Sequence, residues 1–181
     1  DFGLYDSNGK RFVLDKNAPY RQTLNMKDGY VETELTLKTD AQKLKGKVTF
    51  FVSRKRDKNN LSYSAIRYEL MSDRDGHILA KNNISPNSND KPSNDWAETS
   101  FKATKSSGGM FNGRLFSSEL SSIVGASIGA IVTSGDKPVD NKKIAVNQKN
   151  KTILTKYVVA GNYAPLEVEA ALDSVQKRGY E

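Results

Sequence analysis

Apolar and polar residues alternate with a period of two over much of this chain. Tyr30–Leu37 places Val31, Thr33, Leu35 and Leu37 on one side and Glu32 and Glu34 on the other, the pattern of a strand with one buried face. Lys47–Arg54 repeats it with Val48, Phe50 and Val52 inward, and Tyr63–Met71 repeats it with Ile66, Tyr68 and Leu70. Ala97–Thr104 alternates through Ala97, Thr99, Phe101 and Ala103. Polar turn sequences punctuate these runs. Asp6-Ser7-Asn8-Gly9 separates Phe2–Tyr5 from Lys10–Leu14, Asp73-Arg74-Asp75-Gly76 leads from Leu70 into His77–Lys81, and Asn147–Lys151 separates Lys142–Val146 from Thr152–Val159. Asn and Gly tolerate positive φ, so these segments read as hairpins. Residues 15–29 read as a loop around Pro19 and Asp28-Gly29. Residues 82–96 read as a long polar loop around Pro86 and Pro92, anchored at Trp96; loops of that length are often functional.

Residues 114–133 carry two periods at once. Phe116, Leu120, Ile123, Val124 and Ile131 fall near helical spacing, while Val124, Ala126, Ile128, Ala130 and Val132 alternate. Gly125 and Gly129 weaken a long helix, which favours a short helix over 117–123 followed by a buried strand over 126–133. The C-terminus is the clearest helix. Pro165 suits a first helical position, Glu167 and Glu169 lie near its positive end, and Val168, Ala171, Leu172 and Val175 recur at i, i+3, i+4 and i+7.

These elements predict a mainly β (α+β) fold: an antiparallel β-sandwich, an immunoglobulin-like arrangement being one form of it, with a short helix near 117–123 and an amphipathic helix at 165–178. The domain reading is a sandwich over 1–163 carrying the loop 82–96, then a helix over 164–181 that docks on the sheet or on a partner.

Composition narrows the chemistry. The chain has 181 residues, no cysteine, one histidine (His77) and a net charge of +7. No disulfide, thiolate nucleophile or cysteine zinc site is possible, and no metal or cofactor site is expected. The longest small-apolar stretch, Ile123–Val132, is half the length of a membrane-spanning helix. The start at Asp1 without methionine is expected to reflect a processed or truncated N-terminus.

Gly125-Ala126-Ser127-Ile128-Gly129 matches the G-x-S-x-G elbow of serine hydrolases, which needs an acid and then a histidine downstream of the serine. His77 lies upstream, so a close-packed strand of small residues is the reading, and no catalytic residue is assigned. The basic residues Lys43, Lys45, Lys47, Arg54, Lys55, Arg56 and Lys58 bracket Phe50-Phe51, with Phe51 facing outward, and Lys142 and Lys143 form a second cluster. A positive surface with an aromatic platform is the chemistry of nucleic-acid or anionic-polymer binding, and these residues are the candidate site.

Phe2-Gly3-Leu4-Tyr5-Asp6 resembles the F-x-L-Y-D pattern of small immunoglobulin-like domains on bacterial envelope proteins. That five-residue resemblance implies an extracytoplasmic setting: periplasm, cell surface or secretion. The expectation is then a non-enzymatic extracytoplasmic binding or structural module that meets a protein partner or self-assembles. The alternative is a nucleic-acid-associated or virion structural protein using its basic surface.

Overall fold

The computed structural model describes residues 2–53, 56–82, 96–103, 109–117, 122–135, 137–139, 142–162 and 164–178. In chain order the strands are β1 (Phe2–Asp6), β2 (Val13–Leu14), β3 (Arg21–Asn25), β4 (Tyr30–Lys38), β5 (Lys43–Val52), β6 (Ser62–Ser72), β7 (Gly76–Asn82), β8 (Trp96–Ala103), β9 (Gly109–Ser117), β10 (Ser122–Ser134), β11 (Lys137–Pro138), β12 (Lys143–Val146) and β13 (Thr152–Gly161), followed by helix α1 (Pro165–Arg178). Among the described residues the strands form two antiparallel sheets. The larger has ten strands and runs β2-β4-β5-β6-β13-β10-β9-β8, with β3 also on β4 and β11 on β10; the smaller runs β1-β7-β12. This is a sandwich-like, mainly β architecture with a helix, as the alternating pattern requires.

Residues paired in register share a face, and faces alternate along a strand. The register of β5, β6, β13 and β10 therefore sorts their residues by parity. Even-numbered residues face the small sheet. Leu44, Leu70, Val132 and Leu154 pack there with Leu4, Ile78, Ala80, Ile144 and Val146, and Phe2, Leu37 and Tyr68 border the cluster. The Phe2 and Tyr68 rings lie 4.9 Å apart, and burial pushes the Tyr68 phenol up to about 12. Odd-numbered residues face the helix. Leu61, Ala65, Ile131, Tyr157 and Val159 pack against Val168, Ala171 and Leu172, with Val175 at the margin. The predicted stripe of α1 is thus the one it buries, over β10, β13 and β9.

Gly129 permits this contact. A Cβ built on it would sit 2.4 Å from Leu172 Cδ1 and 2.9 Å from Val168 Cγ1. The small-residue stretch is a seam on which the helix lies, and Ser127 beside it is fully buried.

Several expectations are corrected. Of the helix expected over 117–123, Ser117 instead ends β9 and Ser122 and Ile123 begin β10, while 118–121 lie outside the described residues. Of the long loop 82–96, Asn82 belongs to β7 and Trp96 to β8, and 83–95 lie outside the described residues. The loop expected over 15–29 contains β3, which pairs with β4 from Arg21↔Glu34 to Asn25↔Tyr30.

The predicted hairpins are corners between sheets. β6 is in the large sheet and β7 in the small one; β12 pairs with β7 and β13 with β6. After the Gly9 turn (φ 78°) a single bridge joins Tyr5 to Arg11, and β2 then enters the large sheet on β4. Short polar turns suit a corner as well as a hairpin, because both need only a local reversal, and of these three only the first turns on a positive-φ glycine. Finally, Phe50 is not a core residue. Both Phe50 and Phe51 are about 40% exposed, at 40% and 39%, because neither the small sheet nor α1 reaches that end of β5.

Two carboxylates hold connections in place. Asp15 accepts a hydrogen bond from Lys38 at 2.8 Å and from the Asn17 N–H. Asp57 accepts from the Tyr63 hydroxyl and from the Leu61 and Asn59 N–H groups. The Lys38 contact is the main cause that holds Asp15 below the usual carboxylate range, and the Tyr63 hydroxyl does the same for Asp57.

Two predictions follow from this packing. Gly129→Ala is expected to cost about 1–3 kcal/mol, the usual range for overpacking, read as a lower urea midpoint. Gly76→Ala, whose Cβ would meet Gln42 Nε2 at an ordinary 3.7 Å, is expected to stay within about 0.5 kcal/mol of the parent; equal effects at the two sites would contradict the seam. Depressed folded-state pKa values stabilise the fold above the ordinary carboxylate value of 3.8, and that stabilisation is lost as pH falls through the folded values. The urea midpoint should therefore fall as pH is lowered through that window, and Asp57→Asn should flatten the fall. A midpoint with no pH dependence below 3.8 would count against both anchors.

Candidate functional site

The helix covers the odd face over β10 and β13 and the cluster under it includes Ala65 of β6, while β4, β5 and the Arg67–Met71 part of β6 stay open. An open groove runs there, built by cross-strand register. On β4 the even residues share this face, so Tyr30 lies opposite Phe51, Glu32 opposite Thr49, and Glu34 opposite Lys47. On the next strand Thr49 lies opposite Arg67 and Lys47 opposite Glu69. Tyr30, Glu32, Lys47, Thr49, Arg67 and Glu69 line one part of the groove. Lys47 and Glu69 also line its continuation, with Glu34, Lys45, Met71 and Lys151.

Its charges are joined. Lys47 Nζ lies 2.8 Å from Glu32, Arg67 Nε 3.5 Å from Glu69, and Lys151 Nζ 3.1 Å from the other Glu69 oxygen. The hydrogen bond to Glu32 is the main cause that raises Lys47 above the ordinary lysine value. At Glu69 burial works to raise the carboxyl but is outweighed by Lys151, Arg67 and Lys47, which lower it. Both shifts favour the charged forms. General acid catalysis needs the reverse, a carboxyl kept protonated near neutrality. Glu69 is therefore placed to accept hydrogen bonds rather than to donate a proton.

The residues proposed from the basic pattern divide across the molecule. Lys43, Lys45 and Lys47 are odd residues of β5 and share the groove face; Lys43 also lies 3.5 Å from Asp15. Phe51 sits beside Tyr30 at the groove's end. Arg56 donates to Asn60 at 3.1 Å and Lys58 is exposed on the same connection. Arg54 and Lys55 lie outside the described residues. Lys143 alternates with the inward Ile144 and Val146, so it sits on the outer side of the small sheet, and Lys142 beside it donates to the Pro138 carbonyl at 3.0 Å. Lys43–Lys47 and Lys143 therefore face opposite sides of the sandwich. His77 is exposed opposite Ala145 on that same outer side, across the large sheet from buried Ser127, so the two form no catalytic pair. Among the described residues no cluster of His, Asp or Glu suits a metal ion, and no helix is long and apolar enough to cross a membrane.

Alternation alone puts Glu32 and Glu34 on the polar side of their strand and gives Arg67 and Glu69 no separate signal. The signal lies across strands. Three successive strands each carry charges two residues apart, Glu32 and Glu34, Lys45 and Lys47, then Arg67 and Glu69, and only their pairing reveals one ladder.

The chain's relatives replace the expected function. The family model described as "Glycosyl hydrolase family 65, N-terminal domain" matches residues 4–181. No curated protein matches the sequence. Among solved structures, the chain titled "Putative kojibiose phosphorylase from human microbiome" is similar with a TM-score of 0.65 and 12% identity, over 99% of this chain and 25% of that one. At that identity the likeness is one of fold, and this chain spans a quarter of its structural neighbour's length. The family match overturns the non-enzymatic structural or assembly module and its nucleic-acid or virion alternative, which had rested on the lack of a catalytic motif and on net charge. With the match running from Leu4 to Glu181, the chain belongs to the N-terminal domain family of glycosyl hydrolase family 65.

Proposed function

We propose that this chain is the N-terminal portion of a longer carbohydrate-active enzyme that cleaves glycosidic bonds, with water or with phosphate as the acceptor. The carrying observation is the family match over residues 4–181. The site chemistry agrees with a division of labour. Glycosidic cleavage by the two-carboxylate route needs one protonated and one ionised carboxyl flanking the bond, whereas Glu32 and Glu69 are both held in ion pairs. In this reading the proton donor comes from outside the described residues, and the sandwich supplies a stiff body with two packed cores and an accessible sheet face.

The complete polypeptide carrying this chain is expected to release monosaccharide from a glucose disaccharide such as kojibiose. Dependence of that release on inorganic phosphate would mark a phosphorylase, and release without it a hydrolase. Ser127→Ala is expected to leave turnover within about twofold, since the buried hydroxyl cannot reach substrate. Absence of turnover on a panel of disaccharides, with and without phosphate, would overturn the proposal.

A further inference from the structure

The groove on β4, β5 and β6 has a chemistry that fits a particular ligand class. Its donors and acceptors alternate: Glu32 and Glu69 accept, while Lys47 and Arg67 donate. Because these charges compensate one another locally, the groove carries no strong field of one sign to select an anion or a cation. Ionised groups have more hydrogen-bonding capacity than one partner uses: a carboxylate offers about four lone-pair sites, an ammonium three donors and a guanidinium five. A sugar hydroxyl is both donor and acceptor, so vicinal hydroxyls match an alternating ladder where a purely acidic or basic ligand does not.

The end of the ladder is aromatic. Tyr30 lines the groove, and Phe51, its register partner, is 39% exposed. An exposed phenylalanine beside a half-buried tyrosine on a polar sheet face gains free energy by covering the apolar C–H face of a pyranose. Lys45 to Phe51 spans six residues of strand, about 20 Å, enough for a short oligosaccharide lying along the strands. Apolar rings joined to a few converging polar groups are the general make-up of a small-molecule site.

We propose that this groove is a binding subsite for a neutral oligosaccharide, with Tyr30 and Phe51 as the stacking platform and Glu32, Lys47, Arg67 and Glu69 as hydroxyl ligands. The inference rests on the carbohydrate-active reading above and adds to it a site on this domain's own surface, held away from the helix-covered half of the sheet.

Isothermal titration of the protein with maltoheptaose tests it. The parent is expected to bind in the millimolar to high-micromolar range, and Tyr30→Ala with Phe51→Ala to weaken binding by about tenfold or more, as for lost ring stacking. Leu166→Ala, on the exposed start of α1, should bind like the parent. If the aromatic double variant does not fold, Thr49→Val and Arg67→Gln take its place, with the same direction of effect. No binding by the parent at tens of millimolar, or equal affinity in parent and groove variants, overturns the subsite. Tighter, salt-sensitive binding of heparin than of maltoheptaose at the same residues also overturns it, in favour of an anionic ligand. Turnover by the complete polypeptide without groove binding sinks the subsite alone, whereas groove binding without turnover sinks the enzymatic reading and leaves the subsite standing.

Discussion

The whole arrangement depends on burying both faces of β10 and β13. These neighbouring strands carry Val132 and Leu154 against the small sheet and Ile131, Tyr157 and Val159 against α1. Two-sided burial is the condition for a strand to read as continuously apolar, and Ile128–Val132 and Val158–Ala160 do so. It also demands small residues wherever a helix lies flat on a sheet, and Gly129 is that place. Placing α1 there fixes the rest. With the helix over β10 and β13, the same face of β4, β5 and the Arg67–Met71 part of β6 stays open, and its residues are those that water tolerates. With the small sheet over the other face, the chain leaves the large sheet after β6 to form β7 and again before β12, and re-enters it at β8 and at β13.

How much of this was legible follows from what each signal measures. Alternation records which residues face a core, and it identified β4, β5 and β6. It does not record which strand lies beside which. Leu70–Leu79 and Lys142–Val159 have the composition of hairpins, yet each crosses from one sheet to the other. The apolar residues on both sides of those turns belong to one shared core, so the pattern is the same in either case. β3 went unseen for the opposite reason. Arg21–Asn25 lies on β4 with four of its five residues exposed, and a strand without a buried face carries no alternation. The C-terminal helix was readable to the residue because its cap, its charges and its stripe agree. The ends of 117–123 were not, since Phe116 and Ile123, whose spacing suggested a helix, are paired with each other across β9 and β10.

The site was legible in pieces. Lys43, Lys45 and Lys47 were visible as basic residues, and a basic run invites an anionic partner. Their cross-strand neighbours change that meaning. Glu32 and Glu69 sit among the same cations, so the local surface is a balanced ladder rather than a positive field, and the net charge of +7 is spread over opposite faces. Nor could the chemistry of the wider protein be read from motifs here. A groove whose Glu32 and Glu69 are tied in ion pairs carries no acid–base signature, and the family match runs over residues 4–181 rather than over a short motif.

Native-state amide hydrogen exchange tests the central claim that β10 and β13, clamped from both faces, are the last part of the fold to open. Protection scales with the free energy of the opening that exposes each amide. The account predicts the slowest exchange in Ile128–Val132 and Leu154–Val159, with protection falling through β5 to β4 and β3. Slowest exchange in β4 and β5, with β10 opening early, would contradict it.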